Sequence, residues 1–168
     1  MISLVEIAFY KSDKTLLDKG IRFFSKSPYS HCEIVFNREF AISASGRDGG
    51  TRIKKADQMN FDDGNKWDFY KIDLNLDIDK IYDFDRVYKG KYDFVSIVLY
   101  HMLRIPINIK NKYICSEYCF MIINEYSNNS NKKTLDTFLK LYFGNRSYKL
   151  NPSNLLLILE MSRLISRT

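Results

Sequence analysis

Proline and glycine are scarce in this chain, with 3 Pro and 7 Gly among 168 residues. That excludes a collagen-like repeat and a Pro/Gly-rich disordered linker. Cysteine is too sparse for a disulfide framework. The odd set of Cys32, Cys115 and Cys119 predicts free thiols in a reducing compartment. Long apolar runs are missing as well: the best, Leu155 to Leu159, is ended by Glu160, far short of the roughly 18 residues a membrane helix needs. No transmembrane segment is expected. The first ten residues lack a basic segment and carry Glu6 inside their apolar stretch, so no secretory signal peptide is expected and the reading is cytoplasmic.

What is present suits a folded core. Apolar residues make up 45% of the chain and include 12 Tyr and 12 Phe, enough area to bury at about 25 cal/mol per Å². The expectation is one domain over residues 1–168. Net charge is +6, from 26 basic and 20 acidic residues, but no Lys/Arg run exceeds two, so there is no strong nucleic-acid signal. Oligomeric state is left open.

Periodicity predicts a first strand over 2–10, then a helix capped by Asp13 whose apolar face is Leu16, Leu17, Ile21 and Phe24. Ser27-Pro28-Tyr29-Ser30 breaks that helix. Residues 31–36 and 40–45 read as a hairpin of alternating strands around a turn at 37–39. The expected register sets Phe36 opposite Ile42 and Ile34 opposite Ala44, which leaves His31, Glu33, Ser43, Ser45 and Arg47 on the polar side. A brief strand at 51–54 and another at 67–72 complete the sheet. Helices are expected from Asp77 through Val87 with Gly90 as the stop, over 94–103, from Cys115, over 135–141, and over 153–165 behind Pro152. Residues 127–133, polar and Asn-rich, read as a loop.

Chemistry concentrates at two places. Lys112-Tyr-Ile-Cys115-Ser-Glu-Tyr-Cys119 sets a cysteine where an extended segment becomes a helix. Unpaired N–H groups and the positive helix end favour a thiolate there, below the ordinary thiol pKa of about 8.5. A thiolate that attacks a carbonyl needs a proton carrier for the leaving group, and only His31 and His101 exist. His101 sits between Tyr100 and Met102 in an apolar helix, whereas His31 opens a strand with Glu33 on its own face. These residues also admit a plainer reading, in which the hairpin face is simply solvated and Cys115 is an inert core thiol. A zinc site built from Cys115, Cys119, His31 and Glu33 is a further alternative, although no second close Cys/His pair supports it.

Four segments taken in order, Ser30-His31-Cys-Glu-Ile-Val, Ser43-Ala-Ser-Gly-Arg-Asp-Gly-Gly50, Gly90-Lys-Tyr-Asp93 and Ile114-Cys115-Ser-Glu-Tyr-Cys119, resemble the circularly permuted NlpC/P60 group of papain-like cysteine hydrolases. The histidine precedes the cysteine, as in that group and its lecithin:retinol acyltransferase-like members and unlike ordinary papain-like enzymes. Leu150-Asn-Pro-Ser-Asn-Leu155 is similar to a C-terminal motif of the family. The resemblance implies an α+β fold with an antiparallel sheet packed against helices, no cofactor, and a peptide, other small-molecule or lipid acyl substrate. It makes Cys115 the nucleophile and His31 the base and then acid. Relatives with these motifs are carried by bacteria and bacteriophages, which would place a phage-encoded chain in the host cytoplasm. The family's polar third residue lies on the strand after the histidine, where this chain has only Ser43 and Ser45. A serine supplies no charge for an imidazolium, so Glu33 takes the third role. The Cys115 N–H, with Tyr10 or Tyr113, would hold an oxyanion. Ser45, Arg47, Asp48 and Tyr113 are the expected substrate contacts. A catalytically inactive papain-like binding module is the alternative function.

Overall fold

The computed structural model describes residues 4–11, 15–74, 76–97, 109–144 and 150–167. In chain order the elements are β1 (Val5–Tyr10), α1 (Leu16–Ser25), β2 (His31–Phe36), β3 (Phe40–Ser45), β4 (Gly50–Lys55), β5 (Trp67–Ile72), α2 (Ile78–Val87), β6 (Lys91–Tyr92), α3 (Phe94–Ser96), β7 (Lys112–Tyr113), α4 (Cys115–Tyr126), α5 (Asn129–Phe143), α6 (Pro152–Met161) and β8 (Ile165–Arg167). The architecture is mixed α+β: one curled sheet in the order β7-β6-β4-β3-β2-β1-β5-β8, antiparallel except for β6 with β7, and helices packed on it.

Alternation along the strands creates two faces. Val5, Ile7, Phe9, Cys32, Ile34, Ile42 and Ala44 turn toward the main core, which α4 closes with Tyr118, Cys119, Ile122 and Ile123. Ala8, Val35 and Ala41 turn the other way, under Phe61 and Trp67. The polar groups of the site sit on this second side, at the end of β2 where that small cluster gives out.

The β2–β3 register is two residues tighter than the expected one, with Phe36 opposite Phe40 and Ile34 opposite Ile42. The cause is the turn: Asn37 and Arg38 both adopt left-handed conformations (φ 49° and 57°), and the Glu39 N–H donates to the Phe36 carbonyl at 2.9 Å. A shift of two preserves the faces, because side chains alternate with period two. The partners change all the same: Val35 meets Ala41 rather than Ser43.

Other expectations are corrected at the ends of elements. Thr15 caps α1 in a reciprocal box with Asp18, and Asp13 lies outside the described residues. The expected apolar face of α1 does not pack inward at its start: Leu16 is exposed, and Asp18 is buried instead. In α2, Asp77 is the cap and Ile81 and Phe84 are buried, but Val87 is exposed and the helix ends at Tyr88 rather than at Gly90. Gly90 instead permits a close approach. Its carbonyl accepts from the Thr51 N–H, and a Cβ there would meet the Tyr113 ring and the Asn111 carbonyl at 2.6–2.8 Å. The stretch read as a loop over 127–133 is mostly helical, because the Asn128 side chain accepts from the Asn131 N–H and starts α5 six residues early. At the C-terminus α6 stops at Met161, Arg163 turns left-handed, and Ile165–Arg167 pairs with β5 as an edge strand. Of the expected helix over 94–103, only residues 94–97 fall among the described residues, and Phe94–Ser96 is helical.

No helix among the described residues is long and apolar enough to cross a membrane.

Candidate active site

α4 begins at Cys115 because Tyr113 is the last residue of β7 and Ile114, still extended, offers no side-chain cap. Its first N–H groups therefore lack a capping side chain at the position of the sulfur. The helix is anchored beside that point. The Ser116 hydroxyl donates to the Leu150 carbonyl at 2.7 Å, while the Asn151 side chain caps α6 and its amide donates to the Ser25 carbonyl. The Leu150–Leu155 segment thus ties α4, α6 and the end of α1 together.

β2 carries His31 to the same place. His31 Nε2 lies 2.6 Å from Glu33 Oε1, and the ring feels the charge of the nearby Cys115 sulfur. Glu33 is fully buried and is gripped from β4 by the Arg52 guanidinium, through Nη1 to Oε2 at 2.6 Å and through Nη2 to Oε1. Arg52 in turn donates from Nε to Asp48 at 3.0 Å, and Lys54 also holds Asp48. His31, Glu33 and Arg52 form one bonded row across the sheet, with Cys115 at the start of α4 close enough to the histidine end to feel its charge.

The charges in this row fix one another. Burial alone would lower the His31 pKa, but the Glu33 carboxylate and the Cys115 sulfur push it up to about 10. Burial would raise that of Glu33, yet Arg52 and His31 hold it down at about 2. Cys115 is held well below the ordinary thiol value of 9.0, first by a hydrogen bond from Cys32 and then, against its own burial, by the His31 charge. Burial pushes Cys32 the other way, so it remains a thiol and a donor. Both directions favour a thiolate beside an imidazolium.

A cleft of about 240 Å³ opens on this row. His31, Glu33 and Arg52 line it together with Tyr10, Tyr92 and Asp18, whereas Cys115 is not among its lining residues. Ser45, Arg47 and Asp48 line it as well. Arg47 and Asp48 do not spend their charges on each other: Arg47 pairs with Asp18 on α1 at 2.6 Å and lies 5.8 Å from the Tyr10 ring centre, while Asp48 pairs with Arg52 and Lys54. Tyr113 is not part of this lining; its ring packs on Tyr118, with centroids 5.6 Å apart. The Ser43 hydroxyl donates to the Cys32 carbonyl at 2.7 Å, so the residue bonded to His31 is Glu33 and not the serine. Cys119 sits in the core with its thiol 3.6 Å from the Cys32 carbonyl. His101 lies outside the described residues. Among the described residues no group of three or more His, Cys, Asp or Glu is arranged to hold a metal ion, so the zinc alternative gains no support.

Sequence reasoning missed Arg52, Cys32 and Tyr92. Arg52 had a signal: in β4, Ile53 packs on the main core, so Arg52 and Lys54 alternate onto the side of Glu33. Cys32 was read only as an apolar position.

Stability should record this arrangement. A raised His31 contributes fully below 6.5 and loses its contribution as pH climbs to about 10; a depressed Cys115 contributes above 9.0 and loses it as pH falls. Between 6.5 and 9.0 the two slopes therefore oppose each other. Glu33 contributes above 4.5 and loses its share toward about 2. Urea midpoints of Cys115→Ala should therefore fall more steeply with pH from 6.5 to 9.0 than those of the native protein, where the cysteine offsets the histidine. Equal slopes for the two proteins would show that the thiolate–imidazolium pair does not form.

No protein-family model matches this chain, and a search of curated proteins gives no match.

Proposed function

We propose that this chain is a papain-like cysteine hydrolase of the permuted NlpC/P60 kind, cleaving an amide, ester or thioester by acyl transfer. The observation that carries the reading is a base oriented by a buried carboxylate, His31 on Glu33, with a cysteine at a helix start near enough for the two charges to shift each other. A helix N-terminus packed on an antiparallel sheet that bears the histidine is also the layering that such a fold uses, with the histidine strand first in the chain.

The Cys115 thiolate attacks the acyl carbonyl, and the negative charge moves to the carbonyl oxygen. The Cys115 N–H at the start of α4 stabilises that oxyanion, with the Tyr10 hydroxyl in the cleft as the side-chain donor. The imidazolium gives its proton to the leaving group as the C–N, C–O or C–S bond breaks. Neutral His31 then takes a proton from water, whose oxygen attacks the thioester, and Cys115 departs as thiolate. Glu33 keeps the ring oriented and balances its charge throughout. Ser45, Arg47 and Asp48 contact the substrate, a peptide, another small amide or a lipid acyl group. Free thiols suit a bacterial or phage-infected cytoplasm.

A second reading, an inactive papain-like binding module, is favoured by the burial of Cys115, which is 3% exposed. The two are separated by treating the native protein with iodoacetamide near neutral pH, then assaying a panel of amide, ester and thioester substrates. Carboxamidomethylation at Cys115 together with loss of turnover is the expected result. A Cys115 that stays unmodified while the protein is folded would overturn the hydrolase.

A further inference from the structure

We propose that Arg52 is a positioning residue, acting through Glu33 on the His31–Cys115 pair; the inference rests on the hydrolase reading above. No expected role fell to Arg52 from the motif pattern, yet its placement is specific. It reaches from β4 to take both oxygens of a carboxylate that has no solvent contact, and its own side chain is only 11% exposed.

The physical need arises from Glu33. A carboxylate buried with the imidazolium as its sole partner has two ways to lower its energy: it can take a proton, or it can rotate away from the ring. A two-pronged guanidinium blocks both. The fork holds the carboxylate plane so that Oε1 meets Nε2, and its fixed charge keeps Glu33 ionised wherever the enzyme works. A lysine would supply the charge without the fork.

The groups facing this chain of contacts come from several elements. Cys115 on α4 faces His31, Cys32 on β2 faces Cys115, and Tyr92 on β6 lies close to Cys115. Tyr10 on β1 is directly opposite His31 in the ladder. Outside Arg52, Asp48 and Lys54 form a second ion pair, and the Asp18–Arg47 pair closes the rim. Glu33, Asp48 and Asp18 therefore each have a basic partner, and Arg52 is the one shared between Glu33 and Asp48.

The test is the pH profile of Cys115 alkylation by iodoacetamide, read by mass spectrometry on folded protein and independent of any substrate. In Arg52→Met the acid limb, where alkylation fails as pH falls, should move upward by at least about one pH unit, a tenfold slower reaction at a fixed pH on that limb. Arg52→Lys should recover more than half of the shift. In a Glu33→Gln background, adding Arg52→Met should change the rate less than about twofold, because the group it works through is gone. An unmoved limb in Arg52→Met, or a shift of the same size in Glu33→Gln, would overturn the proposal while leaving the hydrolase intact. Should Arg52→Met not fold, Arg52→Lys is compared in the two backgrounds. An effect confined to the Glu33 protein supports the proposal, and an effect equal in both, or absent from both, overturns it. Native protein in which Cys115 resists alkylation at every pH overturns the hydrolase reading itself.

Discussion

Cys115→Ala is expected to lower turnover by more than about a thousandfold while leaving the fold in place, since removing a covalent nucleophile removes the whole two-step route. A thousandfold is about 4 kcal/mol of transition-state stabilisation. His31→Ala should lose a comparable amount. The thiolate depends on the imidazolium, and the leaving group depends on its proton, so the two side chains act as one unit and the double variant should be no worse than either single one. Cys119→Ala is the control. Its thiol is one helical turn further on, in the core against the Cys32 carbonyl, and turnover should persist. Circular dichroism on each variant separates lost chemistry from lost structure. A Cys119 variant that dies beside a Cys115 variant that survives would reverse the assignment.

Arg52→Ala is expected to cost about 3–5 kcal/mol of folding stability, the usual penalty when one partner of a buried ion pair is removed and the other stays charged without it. Total stability of a domain is about 5–15 kcal/mol, so such a loss should be visible as a large drop in the urea midpoint. Glu33 has no water to turn to: it is fully buried, and His31 alone would then face it. The pair Glu33→Gln with Arg52→Met, which removes both charges at similar volume, should recover much of the loss. If the single Arg52→Ala variant unfolds at the same urea concentration as the native protein, then the bidentate contact is not formed in solution. By contrast, Arg86→Ala should change little, because its pair with Asp83 is on the open surface, where such pairs contribute about 0–1 kcal/mol.

Much of the secondary structure could be read from pattern. The alternation in His31–Phe36 and Phe40–Ser45 places Cys32, Ile34, Phe36, Ile42 and Ala44 on one face, and a capping residue before a helical run marks the starts of α2 and α6. The failures have local causes. Two left-handed residues at Asn37 and Arg38 tightened the hairpin by two positions, a choice of turn conformation that these residue types permit without requiring it. The side chain of Asn128 converted a polar stretch into the first turns of α5, because Asn is equally a loop former and a helix cap. The exposed start of α1 shows the limit of periodicity, which finds an apolar stripe but does not say what is there to cover it.

The sequence by itself determined the chemical inventory and its local settings. It contains three thiols and two imidazoles, one cysteine at a strand-to-helix switch, and an acid two residues beyond a histidine on the same strand face. Those follow from short-range rules, since a period of two or 3.6 residues fixes which neighbours share a side. Only the tertiary structure decided that the ring, the carboxylate and the guanidinium stand in one row and that the sulfur comes near its histidine end. Their elements are far apart in the chain, and their meeting depends on where α4 lies across β2 and on β4 lying one strand beyond β3. The same packing excludes water from Glu33, and it is this exclusion that makes the charges of His31 and Arg52 count so heavily there, because Coulomb attraction grows as the surrounding dielectric falls.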